Sequence, residues 1–159
     1  MRLKKIIKQL EGKFPLELAE EWDNVGLLLD STRREIKSIM LCLDITRDIV
    51  DNAVANKVDL IISHHPFIFS PLKKITTDEV NGEKILKLAR NNIAVYSMHT
   101  NIDSGIGGLN DFIIKKIGQE GKVFAISDNR SIELRKLVTS DLIDAKDKII
   151  NPLRIQKLK

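Results

Sequence analysis

All three histidines of this 159-residue chain close apolar runs. His64 and His65 follow Leu60-Ile61-Ile62-Ser63 and precede Pro66, while His99 follows Ile93 to Met98 and leads into Thr100-Asn101-Ile102-Asp103. Imidazole suits Zn, Fe, Ni or Cu, and a carboxylate close by extends the choice to Mn and Mg. Adjacent residues on a regular strand point to opposite sides. His64 and His65 therefore share one ion only if the chain turns, as Pro66 allows, or each serves one of two neighbouring ions. Asp103 is placed to add a terminal or bridging carboxylate. Two ions about 3.5–4 Å apart form the clamp used by many phosphatases, in which water ionises near neutral pH. The competing reading is plain hydrogen bonding of histidines at a sheet edge, with no metal.

These side chains need elements that bring them together. Lys37 to Asp44 reads as a buried strand, with Asp44 at its end. Thr46 is a helix N-cap, and Ile49, Val50, Ala53 and Val54 keep helical spacing behind it. Asp59 to Ser63 is the next strand. A loop with Pro66 and Pro71 precedes a helix that starts near Thr77 or Asp78 and ends at Asn91-Asn92. Ile93 to Met98 is the third strand. Strand–helix–strand–helix–strand with unbroken apolar strands predicts an α/β fold. Its mainly parallel sheet is flanked by helices on both faces. The carboxyl ends then share one edge, where open α/β folds bind ligands. Asp44, His64, His65, His99 and Asp103 all fall there.

The N-terminal stretch reads as an amphipathic helix through Leu3, Ile6, Ile7 and Leu10, capped by Gly12. A short helix follows Pro15. Asp23-Asn24 before Gly26 reads first as turn chemistry and second as site residues. The leucines after it suggest a short strand, and Trp22 is expected in the core or an interface. Gly105 to Gly108 precede a helix over Leu109 to Ile117, capped by Gly118, but lack the Gly-Lys-Ser/Thr ending of a nucleotide loop. Beyond it the pattern weakens to a candidate strand at Val123–Ile126 and candidate helices around Ile132–Val138 and Leu142–Ile150.

Composition narrows the class. Hydrophobic residues make up 43% and charged residues 30%, as expected of a soluble globular domain. No apolar run approaches the roughly 20 residues of a membrane span. The net charge of +4 arises mostly after residue 118. No dense basic run with interleaved aromatics supports nucleic-acid binding. Cys42 is the single cysteine, so no internal disulfide forms; it reads as a small core residue, and the cytoplasm is the expected location.

Three segments in order carry a resemblance: Glu21-Trp22-Asp23-Asn24-Val25-Gly26-Leu27; Asp59 to Pro66; and Ser97 to Asp103 with Gly108-Leu109-Asn110. Over residues 1–118 the chain resembles the Nif-three-like dinuclear-metal family of the YbgI type, often described as type 2 GTP cyclohydrolase I homologues. The resemblance implies that His64, His65 and Asp103 bind a pair of divalent metals. His99 and Asp44 would lie near the site without being established ligands. It also implies a ring-like homo-oligomer and a metal-dependent hydrolase of a nucleotide or phosphorylated substrate, with His99 available to shuttle a proton.

Family members are longer, and a His-x-x-x-Glu in their second half completes the metal pair. No histidine follows His99 here. Residues 1–118 are accordingly expected to form a metal-binding lobe, and residues 119–159 a truncated second lobe. Weak or single-ion binding is expected unless a partner chain supplies the rest. The alternatives are a non-enzymatic metal-binding or regulatory module and an inactive remnant.

Overall fold

A computed structural model describes residues 1–117 except Arg34. The chain divides into two compact units, Met1–Asn110 and Asp111–Lys159. The first unit holds four strands: β1 (Gly26–Leu29), β2 (Ile39–Cys42), β3 (Leu60–Ser63) and β4 (Ala94–Ser97). Its helices are α1 (Leu3–Lys13), α2 (Arg47–Ala55), α3 (Val80–Arg90) and α4 (Thr100–Ser104). Helix α5 (Leu109–Ile117) begins at its end. The elements expected after residue 118, and the lobe expected over 119–159, lie outside the described residues.

The sheet order is β1-β4-β3-β2. β2, β3 and β4 are mutually parallel, and β1 runs antiparallel to β4. β2, β3 and β4 are laid down one after another in the same direction. Right-handed crossovers therefore put both connecting helices on one face. Strand pleating then divides the core. Ile61 and Val95 pack with Val50, Ala53, Ile85 and Leu88 of α2 and α3. Leu60, Ala94 and Tyr96 point the other way and pack with Leu3 and Ile6 of α1. Helices thus cover both faces, as expected from the sequence. Among the described residues, no helix is long and apolar enough to cross a membrane.

Several local expectations are corrected. β2 is not a buried strand: Ile39, Leu41 and Leu43 are exposed, Leu41 at 75%. Among the described residues it is an edge strand, and only its Met40 and Cys42 turn inward against the α2/α3 core. Cys42 keeps its expected packing role, and burial pushes its thiol pKa up, away from reactivity. Gly12 lies inside α1, which closes at Phe14 through a 2.7 Å bond from its N–H to Leu10 O. Thr46 does cap α2, accepting from Ile49 N–H at 3.2 Å. α2 and α3 are each followed by a residue in the left-handed region, Lys57 and Asn92, which returns the chain to the sheet.

α3 starts at Val80, later than the sequence pattern suggested, and Gly82 explains its seating. A Cβ on Gly82 would stand 2.1 Å from Thr76 O and 2.8 Å from Thr76 N. In an open helix, glycine-to-alanine gains about 1 kcal/mol. Here backbone blocks the new methyl, so overpacking of the order of 1–3 kcal/mol wins. Gly82→Ala is expected to lower the urea midpoint; a raised midpoint would show that the 76–82 turn yields freely.

Candidate metal centre

The ladder between strands continues past their formal ends and carries the histidines with it. His64 N–H donates to Cys42 O at 3.0 Å and His65 N–H to Leu43 O at 2.9 Å. Met98 N–H donates to Ser63 O at 2.9 Å. Below them, the buried hydroxyls of Ser63 and Ser97 lie 2.8 Å apart, and Ser63 Oγ donates to His65 O at 2.9 Å. Ser63 has one proton to give, so Ser97 is the donor of the pair. The backbone bends at His64-His65, where the Ser63 bond to His65 O spans the bend, and both rings come to the same side, 4.9 Å between centroids. The turn expected at Pro66 thus operates one residue earlier.

His99 joins them. Its ring centroid is 5.1 Å from that of His64 and 5.5 Å from that of His65. One nitrogen of each ring lies within 4.8 Å of the others. Three donors around a tetrahedral ion at about 2.0 Å would stand roughly 3.3 Å apart. The cluster is thus a slightly open tripod that small ring rotations would close.

Each ring is held from behind through Nδ1. His64 Nδ1 meets Met98 O at 3.0 Å, His65 Nδ1 meets Asp44 Oδ1 at 2.8 Å, and His99 Nδ1 meets Asp23 Oδ1 at 3.0 Å. A carbonyl and two carboxylates can only accept, so each Nδ1 carries the proton. In the neutral ring that leaves the lone pair on Nε2. Carboxylates and carbonyls behind imidazoles are how proteins orient metal-ligating histidines. Plain structural hydrogen bonding would not require the three rings to gather so closely.

Asp23 is the residue whose role the sequence reading underweighted. Its side chain is fully buried. It accepts from Thr100 N–H at 3.1 Å, from Asn24 N–H at 2.8 Å, and from the Thr100 hydroxyl and His99. Burial alone would raise its pKa, but these donors outweigh it and hold the carboxyl below its ordinary value. Its place inside the Glu-Trp-Asp-Asn segment was the available signal; local turn chemistry masked it. Asp23→Asn puts an amide among these donors, so it is expected to lower stability as well as to loosen His99; if the cluster takes up zinc, the affinity of the folded variant should fall 10- to 100-fold. An isothermal titration giving equal affinities would refute this role.

Asn101, fully buried, accepts from His99 N–H at 3.1 Å and donates to Phe14 O at 3.1 Å. It ties α4 to the end of α1. Asp103, on the same helix, stands 3.8 Å from His64 Nε2, and Asn110 Nδ2 donates to its backbone oxygen at 3.0 Å. Burial raises the Asp103 carboxyl above its usual range, against the pull of the imidazoles. Burial, helped by the neighbouring imidazoles and opposed by Asp103, lowers the pKa of His64 and so favours its neutral, electron-donating form. The structure thus brings together every residue singled out at the strand ends. His99 enters the tripod itself, Asp44 supports His65, and Asp103 flanks His64. Trp22, expected in the core or an interface, is not in the core: it is 60% exposed beside the cluster.

The chain is 36% identical over 133 residues to the GTP cyclohydrolase 1 type 2 homolog of Clostridium acetobutylicum, covering 84% of this chain and 50% of that protein. It is 42% identical over 118 residues to the homolog from Clostridium perfringens, covering 74% and 45%. The crystal structure of a Bacillus cereus protein related to NIF3 superposes with a TM-score of 0.73 at 38% identity, over 80% of this chain and 35% of that one. The chain therefore spans about half the length of these curated relatives. The family model for Duf34/NIF3 (NGG1p interacting factor 3) matches residues 1–156. The chain belongs to the Duf34/NIF3 family.

Proposed function

We propose that the chain binds divalent metal through His64 and His65, with Asp103 and His99 completing the donor set. We further propose that this centre serves hydrolysis of a nucleotide or other phosphorylated substrate. The observation that carries the reading is the gathering of three imidazoles whose Nδ1 atoms are all occupied from behind. A divalent ion there supplies Lewis acidity and lowers the pKa of water. The protein's part is orientation: Asp23 and Asp44 hold the His99 and His65 rings, and the Met98 carbonyl holds His64. The substrate class is supported by the cyclohydrolase names of the relatives. Ring-like assembly of copies and residence in the cytoplasm belong to the same proposal.

Zinc- or manganese-loaded protein should turn over GTP or a simple phosphoester, and His64→Ala should abolish that turnover. Turnover unchanged by His64→Ala would sink the hydrolase reading. Metal uptake without any turnover would favour a non-enzymatic binding module.

A further inference from the structure

The rim of the imidazole cluster carries two exposed aromatic rings. Trp22 is 60% and Phe69 50% exposed, and their centroids are 6.1 Å apart with planes inclined by 53°. Trp22 also stands 6.1 Å from His99, edge to face. Aromatics make up only 4% of the chain, and its single tryptophan is here, in water. Leaving such area solvated forfeits hydrophobic stabilisation.

Neither ring hangs on a loose loop. Trp22 precedes Asp23, whose carboxylate is locked to His99 and Thr100. Phe69 follows Ile68, whose carbonyl accepts from Asn24 Nδ2 at 2.5 Å. One short segment, residues 22–24, thus ties both rings to the metal cluster. The geometry is a preorganised corner, where a planar group stacked on one ring meets the other obliquely.

We infer that Trp22 and Phe69 form a stacking site for the heteroaromatic base of a nucleotide whose phosphate faces the imidazole cluster. The charge next door selects this occupant. A cationic ligand would suit a tryptophan face, but a divalent ion held by the imidazole cluster, whose His99 ring is 6.1 Å from Trp22, would repel it. A flat, uncharged ring carrying an anionic group satisfies both halves of the site. A protein partner of standard size needs about 800 Å² on each side, well beyond two side chains. This inference rests on the metal-centre reading for its anionic half; the stacking half can be read separately.

Because Trp22 is the sole tryptophan, its fluorescence reports the site directly in the intact 159-residue chain. Zinc-loaded protein titrated with guanosine monophosphate should show saturable quenching. Ribose 5-phosphate, which lacks the base, should bind at least about tenfold more weakly in a calorimetric titration. Phe69→Ala should weaken the nucleotide about tenfold, as expected for loss of one stacking partner, while zinc affinity stays unchanged. Trp22→Ala, followed by calorimetry, should do the same.

Equal affinity for the nucleotide and ribose 5-phosphate, or no effect of either substitution, overturns the proposal. So does a change of oligomeric state in Phe69→Ala with nucleotide binding intact, which would mark the rings as a protein interface. Failure of zinc to bind, with base-dependent quenching retained, would instead remove the metal reading and leave the stacking site standing.

Discussion

His64→Ala should bind zinc about a thousandfold more weakly than the unsubstituted protein, a loss of roughly 4 kcal/mol. His64 is the hub of the cluster. Its ring is nearest to both other imidazoles, and its Nε2 is the nitrogen that faces Asp103. Removing a supporting carboxylate costs 10- to 100-fold in metal affinity; removing a direct donor costs more. The apo variant keeps its core, because the lost bond to Met98 O is worth only about 1 kcal/mol. Zinc at a thousand times its dissociation constant should stabilise the unsubstituted chain by about 4 kcal/mol. In a domain of this size that is of the order of 10 °C in melting temperature. Thermal melts with and without zinc separate the cases. A zinc-dependent rise that survives in His64→Ala would place the ion elsewhere.

The second large effect lies at the opposite end of β3. Asp59→Asn is expected to destabilise the protein by about 2–3 kcal/mol at pH 7. The Asp59 side chain is only 7% exposed. Its Oδ2 accepts from Lys37 N–H at 2.7 Å and Ser38 N–H at 3.0 Å, and Arg33 Nη1 lies 3.2 Å from Oδ1. These bonds anchor the segment that enters β2, which has one strand neighbour among the described residues. Burial by itself would raise the carboxyl's pKa, but the two amides and the guanidinium outweigh it and lower the pKa below 3.8. A depressed folded-state pKa contributes stability above the unfolded value, and that contribution is lost as pH falls through the folded value. The gap between unsubstituted and Asp59→Asn protein should therefore be constant near neutrality. It should close as pH drops below about 3.8 towards the folded pKa. Urea unfolding at pH 7 and pH 3 measures it; a gap that widens on acidification would contradict the assignment.

The helices and parallel strands were legible because burial imposes a period on the chain. Leu3, Ile6, Ile7 and Leu10 repeat at helical spacing, and Thr46 carries its capping chemistry locally. The burial of β2 was not legible. An apolar run such as Ile39 to Leu43 reads the same at the centre of a sheet and at its edge. Only the strand order shows that nothing described covers Leu41. The antiparallel β1 was equally hidden, since four residues carry no mark of direction. Gly12 shows the same limit: it reads as a helix stop, yet α1 runs through it to Lys13.

The candidate site divides along the same line. Residue type and strand-end position by themselves determined that His64, His65, His99, Asp44 and Asp103 would gather at one edge. Parallel strands joined by helices leave their carboxyl ends no other arrangement. Tertiary structure alone decided what each residue does there. Asp23 lies 76 residues before His99 in the chain, yet a 3.0 Å bond joins them. Spacing and turn chemistry alone do not distinguish that carboxylate from a turn former; only the Glu-Trp-Asp-Asn segment hinted at it. The bend that brings the His64 and His65 rings to one side lies directly above the buried Ser63–Ser97 pair, which joins two strands 34 residues apart in sequence. Periodicity reports which face of an element is buried; which side chain meets which across the sheet is set by register.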